Sequence, residues 1–243
     1  MKKAFFITGT GTNAGKTFFA ASLALTLKKK GLKIGVMKPI ETGCALKGGR
    51  LVPKDALLLK KAASSKDPIN LINPYRFAPP LSPNIAARLS GKKIDFRRIK
   101  RLFENILSEN DVTLIEGAGG LLTPLSGKKT VLDLIRYLNI PAILVTPSRL
   151  GCVGQTLLAI RYSKKAGIKI KGVVLSRVSK KSDPSVKYNA EELKNLGTPI
   201  MGEMPYLKKG KIAEIENCVN LEKLIPSPYP LPKGERKKKK KRK

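Results

Sequence analysis

The chain has 243 residues, of which 42% are hydrophobic and 27% charged, with a formal net charge of +32. That suffices for one α/β domain with a sizeable core and excludes wholesale disorder or a collagen-like repeat. No apolar run approaches the roughly 20 residues of a spanning helix, and the Met1-Lys2-Lys3 start precedes too short an apolar stretch for a secretory signal, so a cytoplasmic protein is expected. Residues 4–8 read as a buried strand and 9–15 as a loop. The spacing predicts a helix over 16–30, with Phe19, Leu23 and Leu27 four apart and Gly31 as its stop. Residues 33–37 form a second strand closed by Pro39. Helices are expected over 55–63 and 96–108, then an apolar strand over 112–115 ending at Glu116. Strands at 142–146, 172–175 and 200–203 alternate with helices at 153–166 and 184–196. Such alternation implies right-handed crossovers, hence an α/β fold with a mostly parallel central sheet flanked by helices on both faces. Residues 1–225 read as a single domain. Beyond it, a proline-rich stretch and then nine Lys/Arg against one Glu over 233–243 read as a disordered tail.

The chain contains no histidine. Ser-His and Cys-His nucleophile pairs, His-bearing zinc sites and imidazole general bases are therefore all excluded. Cys44, Cys152 and Cys218 form no CxxC and read as isolated, mostly buried thiols. Outside the tail the basic residues are scattered, often as pairs closing helical segments: Lys28-Lys29-Lys30, Lys60-Lys61 and Lys164-Lys165. Cations there suit a helix C-terminus. With few aromatic platforms for bases, a solvated surface that takes anionic metabolites fits better than a nucleic-acid groove.

Chemistry concentrates in Thr8-Gly9-Thr10-Gly11-Thr12-Asn13-Ala14-Gly15-Lys16-Thr17, between a strand and a helix. A glycine-rich turn aims backbone N–H groups inward and the helix N-terminus adds positive charge, which suits a triphosphate. Lys16 would reach the β- and γ-phosphates and the Thr17 hydroxyl would ligate Mg²⁺. Thr10 occupies the first glycine position of the strict phosphate-loop pattern, with Gly9 one residue early. A second metal-holding acid is expected at a neighbouring strand end, where Glu116 precedes Gly117, Ala118, Gly119 and Gly120. Asp55 reads equally as a first-turn helix carboxylate or as a further Mg²⁺ ligand. Lys38 leaves strand two into the crevice where parallel α/β sheets bind ligands, although a surface lysine remains an alternative.

The loop, Lys38-Pro39, Asp55-Ala56, Asn73-Pro74-Tyr75, Ser82-Pro83, Glu116 to Gly120, Thr123-Pro124-Leu125, Leu150-Gly151 and Gly202-Glu203-x-Pro205-Tyr206-Leu207 resemble dethiobiotin synthase in order and spacing over residues 4–221. The resemblance implies a P-loop NTPase-like fold and an ATP- and Mg²⁺-dependent closure of 7,8-diaminononanoate with CO₂ to dethiobiotin, in biotin synthesis. It implies Lys38 and Lys16 as catalytic residues and Thr17, Asp55 and Glu116 as metal ligands. Nucleotide contacts would come from Asn13, Ala14, Gly15, Lys16, Thr17, Phe18, Asp55, Glu116, Gly117, Ala118, Gly119, Ser176, Arg177, Pro205, Tyr206 and Leu207. Thr42 would contact the diamine. The family is a homodimer, which would place Leu150, Gly151, Cys152 and Val153 near the partner subunit's site; neither a membrane nor a nucleic acid is implied.

Departures from the family pattern are specific. Gly11 stands where Asp is usual, Asn84 replaces a His, and Gly154-Gln155 replaces an Asn-His pair. Ser176-Arg177 occupies the place of an Asn-Asp pair whose Asn reads adenine, so GTP or CTP is expected to support turnover within about tenfold of ATP. A DNA-partitioning ATPase is the alternative from another class, but it carries a lysine where this chain has Gly11. A corrinoid-type amidoligase would need a glutaminase domain, for which no residues remain.

Overall fold

The computed structural model describes residues 2–180, 183–207, 211–222 and 224–225; the expected tail over 226–243 lies outside them. Along the chain lie β1 (Lys3–Gly9), α1 (Lys16–Lys29), β2 (Ile34–Met37), β3 (Ile40–Glu41), β4 (Ala45–Lys47), β5 (Arg50–Val52), α2 (Lys54–Ala63), α3 (Ile69–Ile72) and β6 (Tyr75–Arg76). Then follow α4 (Pro83–Leu89), α5 (Phe96–Ser108), β7 (Val112–Glu116), β8 (Pro124–Ser126), β9 (Lys129–Thr130), α6 (Val131–Leu138), β10 (Ala142–Pro147), α7 (Cys152–Lys165), β11 (Ile170–Ser176), α8 (Val186–Asn195) and β12 (Ile200–Met204). Every expected strand and helix is present. The short helices α3, α4 and α6 and the small pairs β3–β6, β4–β5 and β8–β9 are additional.

The central sheet runs β12-β11-β10-β1-β7-β2, and every pairing in it is parallel. Alternation along β1 shows why both faces need cover: Phe5 and Ile7 enter one core, Ala4 and Phe6 the other. The first core is closed by α1, α2 and residues 211–222 and 224–225, the second by α4, α5 and α6. Strand order reverses at β1, with β7 and β2 on one side and β10 to β12 on the other. The crevice beyond its carboxyl end is therefore the topological switch point, where open α/β sheets bind ligands.

Helix α1 is buried on nearly every side, Phe19, Leu23 and Leu27 included. It stops where Gly31, at φ 88°, takes up a left-handed conformation, with Gly31 N–H donating to Lys28 O at 2.8 Å and Leu32 N–H to Leu27 O at 3.3 Å. A side chain would resist that backbone, so glycine ends the helix there. Helix α6 starts from a capping box between Thr130 and Asp133.

Candidate active site

The loop after β1 crosses the switch point. Asn13 (φ 58°) and Gly15 (φ 91°) are left-handed. Among the described residues, the N–H groups of residues 11–15 donate no hydrogen bond within the protein. Ala14 is buried and Gly11 and Gly15 half-buried, while Thr12 and Asn13 are exposed. Shielded donors without partners are costly unless a ligand meets them, and a run of free N–H groups around left-handed residues forms an anion-binding concavity. Gly15 also occupies the N-cap of α1 with no side-chain cap, so the helix presents its free first turn to the same space. A Cβ on Gly15 would lie 2.3 Å from Ser176 Oγ, so the residue is confined to glycine by both backbone and neighbour.

Lys16 is buried, and its Nζ donates to Gly11 O at 2.8 Å, holding the loop closed over itself. Burial, reinforced by the like charge of Lys38, lowers the Lys16 ammonium to about 8, against the pull of Glu116 and Asp55. Thr17 Oγ1 donates to Glu116 Oε1 at 2.7 Å. The same oxygen accepts from Lys38 Nζ at 2.5 Å, and Lys38 Nζ lies 3.1 Å from Asp55 Oδ2. Burial works against the Lys38 charge, but Glu116 and Asp55 outweigh it and hold the ammonium above the usual lysine range. Lys38 is thus a fixed, buried cation. Its backbone is anchored as well, because Asn73 Nδ2 donates to Lys38 O at 2.6 Å.

The other oxygen of Glu116, Oε2, is buried and has no hydrogen-bond partner. With the Thr17 hydroxyl and the Asp55 carboxylate close by, it leaves an all-oxygen donor set that suits a hard divalent cation. Among the described residues no group of three or more His, Cys, Asp or Glu side chains is placed to hold a metal ion. Two carboxylates and a hydroxyl are what the site offers.

The structure therefore brings together the loop residues Asn13 to Thr17, Lys38, Asp55 and Glu116, with Gly117, Ala118 and Gly119 following directly from β7. Ser176 is buried against Gly15, and Arg177 N–H donates to Met204 O at 3.0 Å, which sets Pro205, Tyr206 and Leu207 beside the end of β11. Phe18 is half-buried in the first turn of α1. Thr42 leaves β3 three residues from Pro39. Leu150 to Val153 lie apart from this cluster, at the start of α7: Leu150 is 82% exposed, whereas the Cys152 side chain is fully buried. Cys44 is buried as well and Cys218 half-buried. Burial raises the Cys44 thiol to about 11.

Sequence reasoning missed a groove of about 890 Å³ between residues 9–12, residues 120–124 and one side of α7, where Leu158 is 71% exposed. It also gave Glu41 no role. The available signal for Glu41 was a carboxylate close after Lys38 combined with a helix, α2, that begins at Pro53 without a capping side chain.

A parallel sheet with a phosphate-binding loop at its switch point, a lysine and a hydroxyl opening the following helix and an acid ending the adjacent strand define the class of P-loop nucleotide-binding α/β proteins. A family model described as an AAA domain matches residues 3–211. The chain is 40% identical over 226 residues to the ATP-dependent dethiobiotin synthetase of Thermodesulfovibrio yellowstonii, covering 88% of this chain and 94% of the relative. It is 35% identical over 207 residues to that of Nitrosopumilus maritimus, covering 85% and 90%. With the Aeromonas hydrophila enzyme of the same name identity is 33% over 227 residues, covering 93% and 100%. The chain belongs to the ATP-dependent dethiobiotin synthetase family. Among solved structures it is similar in fold to the septum site-determining protein MinD of Pyrococcus horikoshii, complexed with Mg-ADP, at a TM-score of 0.52 and 18% identity over 84% of this chain and 82% of that one.

Proposed function

We propose that this protein is an ATP-dependent cyclo-ligase that joins CO₂ to 7,8-diaminononanoate and closes the ring to dethiobiotin in biotin synthesis. The observation that carries the reading is the buried, charged Lys38, held by Glu116 and Asp55 beside the phosphate loop. One amine of the substrate takes up CO₂ as a carbamate, and Lys38 supplies the cation that holds this anion; Thr42 contacts the diamine. The γ-phosphoryl group of ATP passes to a carbamate oxygen, giving ADP and a carbamic-phosphoric mixed anhydride. Lys16 and the unpartnered loop N–H groups neutralise the charge that develops on the phosphates, so the step depends on positioning and electrostatics and needs no imidazole. The second amine then attacks the carbonyl carbon and expels phosphate, which closes the cyclic urea.

Thr17, Asp55 and Glu116 would hold Mg²⁺, and the orphaned Glu116 Oε2 supports that assignment. When bound, the ion supplies further charge neutralisation at the β- and γ-phosphates. Asn13 to Phe18, Gly117 to Gly119, Ser176, Arg177 and Pro205 to Leu207 surround the nucleotide. Residues 1–225 act as one domain, in the cytoplasm. The working unit is a homodimer in which Leu150 to Val153 approach the partner subunit's substrate; the exposed Leu122, Leu158 and Tyr162 around the groove, and the exposed Leu150 before α7, support it.

The test is phosphate release and mass-detected product with Mg-ATP, bicarbonate and 7,8-diaminononanoate, each omitted in turn. Dethiobiotin should form only when all are present. Phosphate released without dethiobiotin would leave a nucleotide site with a different second substrate.

A further inference from the structure

Glu41 ends β3, three residues after Lys38 and immediately before Thr42. It is buried, yet both of its carboxylate oxygens are occupied. Oε1 accepts the Asp55 N–H at 3.0 Å and Oε2 accepts the Ala56 N–H at 3.0 Å. Those two residues follow Lys54 in the first turn of α2, whose N-cap is Pro53 and which has no side-chain cap of its own. First-turn N–H groups have no intrahelical partner, and a nearby Ser, Thr, Asp or Asn usually accepts from them. Here the acceptor comes from a different element. Its negative charge also complements the positive end of α2.

The geometric consequence concerns Asp55. After Thr42 the chain leaves through the β4–β5 hairpin and returns at α2, and the hairpin tip, residues 46–50, is exposed. The hairpin therefore does little to fix the returning helix against Lys38. The Glu41 carboxylate does so directly, because one side chain ties the strand exit that carries Lys38 and Thr42 to the helix start that carries Asp55. Burial and the neighbouring Asp55 push the Glu41 carboxyl above its ordinary range, while the two N–H groups and Lys38 oppose that shift. A carboxylate kept there against its own desolvation, with both oxygens spent on one helix turn, is a structural tie rather than a free ligand.

We infer that Glu41 is a positioning residue: by clamping the first turn of α2 it sets the Asp55 carboxylate relative to Lys38 and so tunes the site's affinity for a divalent cation with nucleotide. This rests on the reading of the site proposed above.

The experiment compares the full chain with Glu41→Gln, Glu41→Ala and Leu59→Ala. Glu41→Gln keeps shape and one acceptor but sets an amide donor against a backbone donor. Leu59 is buried on α2 beyond its first turn, so Leu59→Ala weakens the helix without touching the tie. Hydrogen exchange of a peptide spanning residues 53–59 is measured without ligand, and binding of a fluorescent ATP analogue is titrated with Mg²⁺. Both Glu41 variants should exchange faster at the start of α2 and need about tenfold more Mg²⁺ for half-maximal nucleotide binding, the usual scale for groups that orient a metal ligand. Their kcat should fall with the KM for the diamine little changed. Leu59→Ala should melt earlier yet keep the parent's Mg²⁺ requirement. Glu41 variants with a parental Mg²⁺ requirement, or a Leu59→Ala shift as large as theirs, would overturn the inference. Should Glu41→Ala fail to fold, Glu41→Gln decides. A parent chain that binds no nucleotide with Mg²⁺ would instead sink the reading of the site itself, and the inference with it.

Discussion

Removing Lys38 separates two consequences of one side chain. Its ammonium is the only cation within hydrogen-bonding distance of the buried Glu116 carboxylate among the described residues, so Lys38→Ala leaves a charge without compensation. Breaking a buried pair from one side costs about 3–5 kcal/mol. The variant should therefore melt earlier while still binding Mg-nucleotide through the phosphate loop, and dethiobiotin should disappear. Calorimetric nucleotide binding, thermal melting and mass-detected product read the three effects separately; near-normal turnover would remove the carbamate role. Thr17→Val should do the reverse and weaken Mg-nucleotide binding first. At the proposed base site, Ser176 offers a hydroxyl packed beneath Gly15 and Arg177 a guanidinium with donors only, so neither presents the paired donor and acceptor of a side-chain amide. GTP and CTP should accordingly support turnover within about tenfold of ATP, since one lost hydrogen bond is worth about 1 kcal/mol. A strict ATP requirement in a nucleotide panel would count against this.

At the scale of elements, α1 shows what periodicity discloses and what it leaves out. Phe19, Leu23 and Leu27 mark the helix, and Gly31 marks its end. Ser22 and Thr26 look like solvent positions, yet both are buried. Their hydroxyl oxygens accept from backbone N–H groups of the segment over 211–225, Ser22 from Ala213 at 3.4 Å and Thr26 from Ile215 at 3.1 Å. Its described residues form no helix or strand beyond a single bridge from Val219 to Gly202, and its sequence has no period, so nothing in the sequence announces it as the third wall of α1. The helices α4 and α6 escaped for another reason: with so few turns, caps such as Thr130 and Asp133 are the main signal, and caps alone resemble ordinary turns. Glu41 left only a weak signal, because its partners, fourteen and fifteen residues on, are backbone groups. The segment over 211–225 crosses β12 at Gly202, where a Cβ would fall 1.9 Å from Cys218 O. Gly202→Ala must push that backbone away, and overpacking of this kind costs about 1–3 kcal/mol. A lower melting point with faster hydrogen exchange over 211–222 is expected, and parental exchange there would mean the segment is not held at Gly202.

The whole molecule sets the remaining constraint. The loop and the acid at the end of β7 were legible, because these residues are local to strand ends; alternation implied a parallel sheet but not the strand order that puts the switch point at β1. The groove beside α7 was not legible, because its walls are distant in sequence. Leu158 stands largely exposed along it, and Leu150, just before α7, is exposed as well. Leu150 is also held in place, its N–H donating to Asp183 Oδ2 at 3.0 Å, while Asn189 Nδ2 donates to Arg149 O at 3.4 Å. An exposed leucine whose backbone is held on a supported loop supports the proposed interface, because pre-ordering the loop lowers the entropy lost on association. A formal charge of +32 on each copy opposes that association, and salt screens the repulsion. Sedimentation velocity should therefore find a homodimer that strengthens from low to moderate salt. Leu158→Glu should sediment as a monomer, melt close to the parent and lose turnover, because the proposed dimer places the exposed face of α7 in its interface and Leu158 is 71% exposed in the single chain. A parent chain that makes dethiobiotin as a monomer at every salt concentration would end the dimer reading, and a dimeric Leu158→Glu would move the interface off this groove.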